Sequence, residues 1–206
     1  LYPVHHQLIR LFYLRNPYFL YISFIKKSYN IFIPINTLSY FLKKTFIEKL
    51  NLSRKIVPLI DHEDLNDVLK YIDFMTKHNF HIFEYTLRRK DSIKHIEKIR
   101  KVFPNIVLGA GSVLERKTIA SLTKLEIDFF VSPGVITTRQ PKKQNYLPGV
   151  LTPSEILECK NFGVLKLFPS NSLEIINYLK TINGPFPNLK FIPTGGINIK
   201  NYLSII

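Results

Sequence analysis

The sequence predicts a parallel α/β fold, either an open doubly wound sheet or a (β/α)8 barrel. Three observations predict it. From Ile56 onward, short apolar runs with strand character alternate with segments whose apolar residues recur at helical spacing. The alternation is short and regular, the pattern of strand–helix–strand units. The apolar runs end in glycine and proline, in "GAGS", "SPG", "PG" and "PTGG", where such residues stop a strand and let backbone approach a ligand closely.

The elements follow in order. Residues 1–35 read as a basic, aromatic extension: no Asp or Glu precedes Glu48, and Tyr, Phe, Ile and Leu crowd the segment. Residues 36–206 read as the α/β domain. "TLSYFLKKTFIEKL" (37–50) is amphipathic at helical period. "KIVPLID" reads as the first strand. "EDLNDVLKYIDFMTKHN" repeats Leu65, Val68, Leu69, Ile72 and Met75 at helical spacing. "FHIFEYTLR" is a strand, and "DSIKHIEKIRKVFP" a helix with Asp91 or Ser92 as its cap. "NIVLGAG" is a strand, "ERKTIASLTKLE" a helix and "IDFFVSPG" a strand. "TPSEILECKNF" opens with a threonine cap and proline at the first helical position. "GVLKLFP", "SLEIINYLKTI" and "NLKFIPTGG" give strand, helix and strand, and "NIKNYLSII" begins a further helix.

Composition narrows the function classes. The chain has 206 residues and is 46% hydrophobic, which suits one packed domain with an extension. A single cysteine, Cys159, forms no intramolecular disulfide and fits a reducing, cytoplasmic setting. The six histidines and Cys159 are not at metal-ligand spacing, so no metal site is expected. The net charge of +14 is spread along the chain without a nucleic-acid motif or an arginine stripe, so no nucleic-acid partner is expected. Arg10, Arg15, Lys26 and Lys27 interrupt the N-terminal apolar stretch, leaving runs too short to span a membrane. The same acid-free, basic segment resembles an organelle transit peptide, but its serine content is low for one.

Two strands carry the chemistry. In "GVLKLFP", Lys166 interrupts an apolar run. A buried ammonium is costly unless it is paired or loses its proton. Lys166 is therefore either a snorkelling lysine on a half-exposed strand or an amine made reactive by burial, able to form a Schiff base with a carbonyl. In "FEYTLR", Glu84, Thr86 and Arg88 are two apart and share one face, while Phe83, Tyr85 and Leu87 form an apolar opposite face. The polar set is either the solvated face of an edge strand or the inner wall of a barrel. In such folds the C-terminal strand ends hold the site. "TGG" before "INIKNY" places backbone N–H groups near a helix start, an arrangement that suits phosphate.

The motifs "FEYTLR", "GAGSVL", "VSPG", "LPG", "TPSE", "LKLFP", "GPF" and "PTGGI" resemble, in order and nearly in spacing, those of the KDPG and 2-keto-4-hydroxyglutarate aldolase family. The resemblance covers about residues 40–206. It implies a class I aldolase on a (β/α)8 barrel, a homotrimer with neither metal nor cofactor. The substrate would be a phosphorylated 2-keto acid. Lys166 matches the family's Schiff-base lysine and Glu84 its proton-shuttling carboxylate. Arg88 matches the arginine that holds the substrate carboxylate, and Ser112 stands where a threonine is usual. Pro133 and Phe168 match pocket-lining residues, and Gly195 and Gly196 the backbone donors to phosphate. The related keto-deoxy-phosphogalactonate aldolase is an alternative activity.

The chain also departs from that pattern. It stops at Ile206, so the expected barrel lacks its eighth strand, with a Gly-Gly-Ser phosphate loop, and its last helix. The stretch from Val135 to Leu147 is short and carries Pro141 where a helix is expected. Glu126 stands where a helix-ending glycine with positive φ is usual. A decayed aldolase-like chain and a basic binding module on the same scaffold therefore stay open beside the enzyme.

Overall fold

The structure, a computed structural model, describes residues 48–49, 56–139, 145–170 and 174–198. The expectations for residues 1–35, for most of the 37–50 helix, for "PKKQ" and for the final helix lie outside the described residues. Glu48 and Lys49, within the 37–50 segment, are helical.

Among the described residues from Ile56 onward, strands and α-helices follow one another through eight strand segments and five α-helices. The order is β1 (Leu59–Ile60), α1 (Leu65–Lys77), β2 (Ile82–Thr86), α2 (Ser92–Val102), β3 (Val107–Gly111), α3 (Thr118–Lys124) and β4 (Phe129–Val131). Then come β5 (Asn145–Leu147), β6 (Gly149–Val150), α4 (Pro153–Cys159), a 3₁₀ turn (Lys160–Phe162), β7 (Val164–Leu167), α5 (Glu174–Asn183) and β8 (Lys190–Pro193). Every pairing is parallel, in the orders β1-β2-β3-β4-β5 and β6-β7-β8.

β5 and β6 are two halves of one strand, separated only by Pro148. The first half pairs with β4 and the second with β7. Proline has no N–H to give the ladder, yet the Pro148 carbonyl still accepts from Lys166 N at 2.9 Å. "PG" therefore does not end a strand, as the sequence suggests; Gly149 lies inside one and pairs in register with Lys166. A Cβ there would lie 2.2 Å from the Pro133 carbonyl oxygen, so close backbone approach demands glycine.

The strands thus run round the sheet in sequence order with no reversal. That order belongs to a barrel and not to a doubly wound sheet, whose strand order turns back at a switch point. Side chains confirm the curl. Ile82, Val107, Phe129, Val131, Leu147 and Val164 form one cluster, with Val57 before β1 and Ile192 of β8 packed against it. Residues at both ends of the strand order meet in this cluster, the filled interior of a barrel. The opposite faces carry Ile60, Phe83, Tyr85, Leu108 and Phe130, packed against Val68, Ile72, Ile96, Ile99 and Leu122 of the helices.

Local chemistry sets the element ends. Asp64 caps α1, its carboxylate accepting from Asn66 N at 2.7 Å and Asp67 N at 3.2 Å. Thr152 caps α4 in a reciprocal capping box with Glu155, with proline following. Asp91 occupies the N-cap position of α2 without capping it; its carboxylate takes a hydrogen bond from Lys94 Nζ at 2.8 Å. Glu126 does adopt φ 54°, the left-handed conformation its position called for.

Candidate active site

The interior is layered. Val164 and Ile82 belong to the apolar floor. Two residues further along each strand, on the same face, stand Lys166 and Glu84. Their alternate neighbours Leu165 and Tyr85 face outward into the helix-packed clusters. Alternation alone would expose Lys166 and Glu84 if the sheet were flat. The curl of the strands instead buries them, leaving Lys166 6% and Glu84 5% exposed.

Burial governs both charges. It pushes the Lys166 amine below the ordinary lysine range, with the Glu84 charge pulling it back up and Arg88 pressing it further down. It pushes the Glu84 carboxyl up, opposed by Lys166 and then Arg88. Glu84 Oε1 is buried with no hydrogen-bond partner. Lys166 Nζ stands 4.7 Å from the centre of the Phe168 ring. The pair is thus a suppressed amine beside a carboxyl that resists ionising, which suits nucleophilic attack coupled to proton transfer.

Glycines make room for the pair. A Cβ on Gly111 would lie 2.0 Å from Glu84 Oε1. A Cβ on Gly109 would lie 2.2 Å from the Phe129 ring. A Cβ on Gly195 would lie 2.6 Å from the Phe168 ring. Gly195 and Gly196 hold φ 82° and 86°, open to glycine and strained for other residues. The Gly195 carbonyl accepts from Ser170 N at 2.9 Å, which ties this loop to the chain leaving β7.

Arg88 stands half-exposed at the mouth. Its Nε donates to Ser112 Oγ at 2.9 Å, and its Nη1 donates to Asp61 Oδ2 at 3.2 Å. The other Asp61 oxygen accepts from Arg89 Nε at 2.8 Å, and Arg89 Nη1 donates to Glu63. Ser112 sits at φ 57°, a left-handed conformation that is worse for a β-branched residue.

Lys166, Glu84, Phe168 and Gly195 are therefore joined by contact or by charge, and Arg88 by charge with Ser112 attached to it. Pro133 connects to Lys166 through Gly149, and Gly196 continues the Gly195 turn. The sequence reading of the site misses Asp61 and gives Thr86 only as a member of the polar face of β2. Asp61 bridges Arg88 and Arg89; its signal was its place at the end of "KIVPLID". Thr86 is completely buried with its hydroxyl unpartnered; its signal was its shared face with Glu84. Among the described residues, no group of three or more His, Cys, Asp or Glu is placed to hold a metal ion. No helix among them is long and apolar enough to cross a membrane.

Residues 47–206 match the family model of KDPG and KHG aldolase. The chain is 31% identical over 172 residues to the 2-dehydro-3-deoxy-phosphogluconate aldolase of Pseudomonas aeruginosa, covering 79% of this chain and 78% of that one. It is 29% identical over 165 residues to the KHG/KDPG aldolase of Escherichia coli, covering 77% and 78%. Among solved structures, it resembles the Legionella pneumophila KDPG aldolase with pyruvate captured as a covalent carbinolamine. That match has a TM-score of 0.63 and 32% identity over 71% of this chain and 74% of that one. A KDPGal structure at 18% identity, with a TM-score of 0.64, shares the fold.

Proposed function

The chain belongs to the KDPG and KHG aldolase family, and from that premise we propose that Lys166 is the amine through which it works. It is a class I aldolase, a lyase that breaks a carbon–carbon bond through a lysine Schiff base. Its substrate is 2-keto-3-deoxy-6-phosphogluconate, cleaved to pyruvate and glyceraldehyde 3-phosphate. By likeness to the Escherichia coli KHG/KDPG aldolase, 4-hydroxy-2-oxoglutarate is a second substrate.

One observation carries the assignment of residues: a buried lysine held below its ordinary pKa beside a buried carboxyl held above its own. Neutral Lys166 attacks the substrate's keto carbon, giving a carbinolamine. Loss of water leaves a protonated imine. Glu84 takes the proton of the neighbouring hydroxyl as the carbon–carbon bond breaks, and the bond's electrons move into the imine to form an enamine. The aldehyde leaves. Protonation of the enamine and hydrolysis return pyruvate and the free amine. General acid–base work of this kind contributes about 10²–10⁴-fold.

Arg88 holds the substrate carboxylate with its planar fork, steadied by Ser112 and Asp61. Phe168 and Pro133 line the pocket. Backbone N–H groups around Gly195 and Gly196 receive the phosphate. The buried, unpartnered Glu84 favours an enzyme over a binding module, because a surface that binds by charge has no use for a carboxyl kept away from water. We place the enzyme in the cytoplasm, as a homotrimer.

The test is borohydride reduction in the presence of pyruvate, followed by mass mapping of the modified peptide. A pyruvyl adduct on Lys166 is expected, with none on Lys166→Ala. An adduct elsewhere, or near-normal turnover by Lys166→Ala, overturns the assignment.

A further inference from the structure

Thr86 ends β2 and has no solvent exposure, yet its Oγ1 has no hydrogen-bond partner. On the same face, two residues back, Glu84 Oε1 is likewise buried and unpartnered. A buried hydroxyl left unmet opposes folding, and threonine usually escapes this by bonding to nearby backbone. Here it does not. The register partners of Glu84 and Thr86 on β3 are Gly109 and Gly111, so β3 offers no side chain to satisfy either group, and on the β1 side Glu84 faces the apolar Leu59. Two buried polar atoms thus lie on one face of β2 with no hydrogen-bond partner among the described residues.

Residues two apart on one strand face are about 6–7 Å apart, a span that one oxygen can bridge by hydrogen-bonding to both side chains. The Schiff-base route contains such an oxygen. It begins as the keto oxygen and becomes the carbinolamine hydroxyl.

We propose that Thr86 is a further catalytic residue, whose hydroxyl and the Glu84 carboxyl together hold the oxygen that leaves as water when the imine forms. This rests on the assignment of Lys166 as the imine-forming amine. In the step, the carbon–oxygen bond breaks while the nitrogen lone pair closes the carbon–nitrogen double bond. The departing oxygen takes the Glu84 proton, leaving a carboxylate. Thr86 donates a hydrogen bond to that oxygen throughout and keeps its own proton. Imine hydrolysis runs the same contacts in reverse.

Thr86→Val keeps the shape of the side chain and removes the donor. If the hydroxyl serves only the fold, its loss lowers the melting temperature and Thr86→Ser rescues stability. If it serves the reacting oxygen, the melting temperature of Thr86→Val holds or rises, since an unmet buried group has been removed. Trapping of pyruvate by borohydride then slows about 10-fold, KM changes little, and Thr86→Ser restores the rate to within about threefold.

Trapping at the wild-type rate in folded Thr86→Val overturns the proposal, as does a rate loss that merely follows a fall in folded fraction. Should valine prevent folding, the folded Ser and Ala variants decide the same question: a rate ratio near unity between them overturns it. The wild-type chain is the control that separates the two claims. If it forms no adduct at all, the aldolase assignment itself fails. If it forms one and Thr86→Val matches it, only the role of Thr86 fails.

Discussion

A Cβ built on Gly111 would lie 2.0 Å from Glu84 Oε1, so a whole side chain has been given up on β3 to hold one carboxyl in place. Its Oε1 has no hydrogen-bond partner among the described residues, and burial raises its pKa. Its effect on stability has a definite sign. In the unfolded chain Glu84 titrates near its ordinary value of 4.5, whereas in the folded chain it holds its proton to higher pH. Its contribution is therefore fully present below the unfolded value and lost as pH rises through the folded one. Glu84→Gln removes the titration. The variant is expected to melt above wild type at neutral pH, with the difference shrinking as pH falls through the raised folded value and vanishing by about 4.5. Turnover is expected to fall about 10²–10⁴-fold. The Glu84 charge also pulls the Lys166 pKa upward, so its removal should shift the pH midpoint of pyruvate trapping toward acid. Thermal melts across pH and borohydride trapping across pH check both halves. A midpoint that moves toward alkali would show that the two groups are not coupled as their burial implies.

At the scale of elements, α4 shows how a helix start supports the site behind it. Thr152 Oγ1 accepts from Glu155 N at 3.3 Å, while Glu155 Oε2 accepts from Leu151 N at 2.9 Å and Thr152 N at 2.8 Å. The helix packs Ile156 and Cys159 against Leu165, the outward neighbour of Lys166. Thr152→Ala is expected to cost about 1 kcal/mol. For a domain of this size that is a fall of about 2–4 °C in the melting temperature, read by circular dichroism. An unchanged melt would mean that the strand holds without its helix cap. This element was legible because the capping box and the proline are local signals within "TPSE". The α2 cap was not, because Asp91 has two competing uses and its carboxylate goes to Lys94 instead of the backbone. The division of one strand into β5 and β6 was hidden for another reason. Proline beside glycine reads locally as a strand end, and only the pairing of Gly149 with Lys166 shows the strand continuing. The placement of Lys166 and Glu84 could be read from strand alternation. Thr86 shared that signal, but its role depends on what the neighbouring strand lacks.

For the whole molecule, alternating strands and helices fitted two architectures, and the strand order chose the barrel. That order depends on pairings between segments far apart in sequence, which residue periodicity does not encode. Net charge is also a property of the whole chain: 29 Lys and Arg against 15 Asp and Glu leave +14. Several surface ion pairs are local, such as Lys77–Asp73 and Lys101–Glu97 at one helical turn, and each contributes only about 0–1 kcal/mol. Self-repulsion among the excess cations opposes the compact state and reaches further than these contacts. Raising salt shortens the screening length from about 30 Å at 0.01 M to about 8 Å at 0.15 M. That range removes the repulsion between distant cations while leaving contact pairs partly intact. The melting temperature is therefore expected to rise as sodium chloride goes from about 0.01 to about 0.15 M. A flat or falling curve would mean that the acidic side chains already neutralise the cations locally and that pairs such as Arg100–Asp128, at 2.7 Å and mostly buried, outweigh the long-range term.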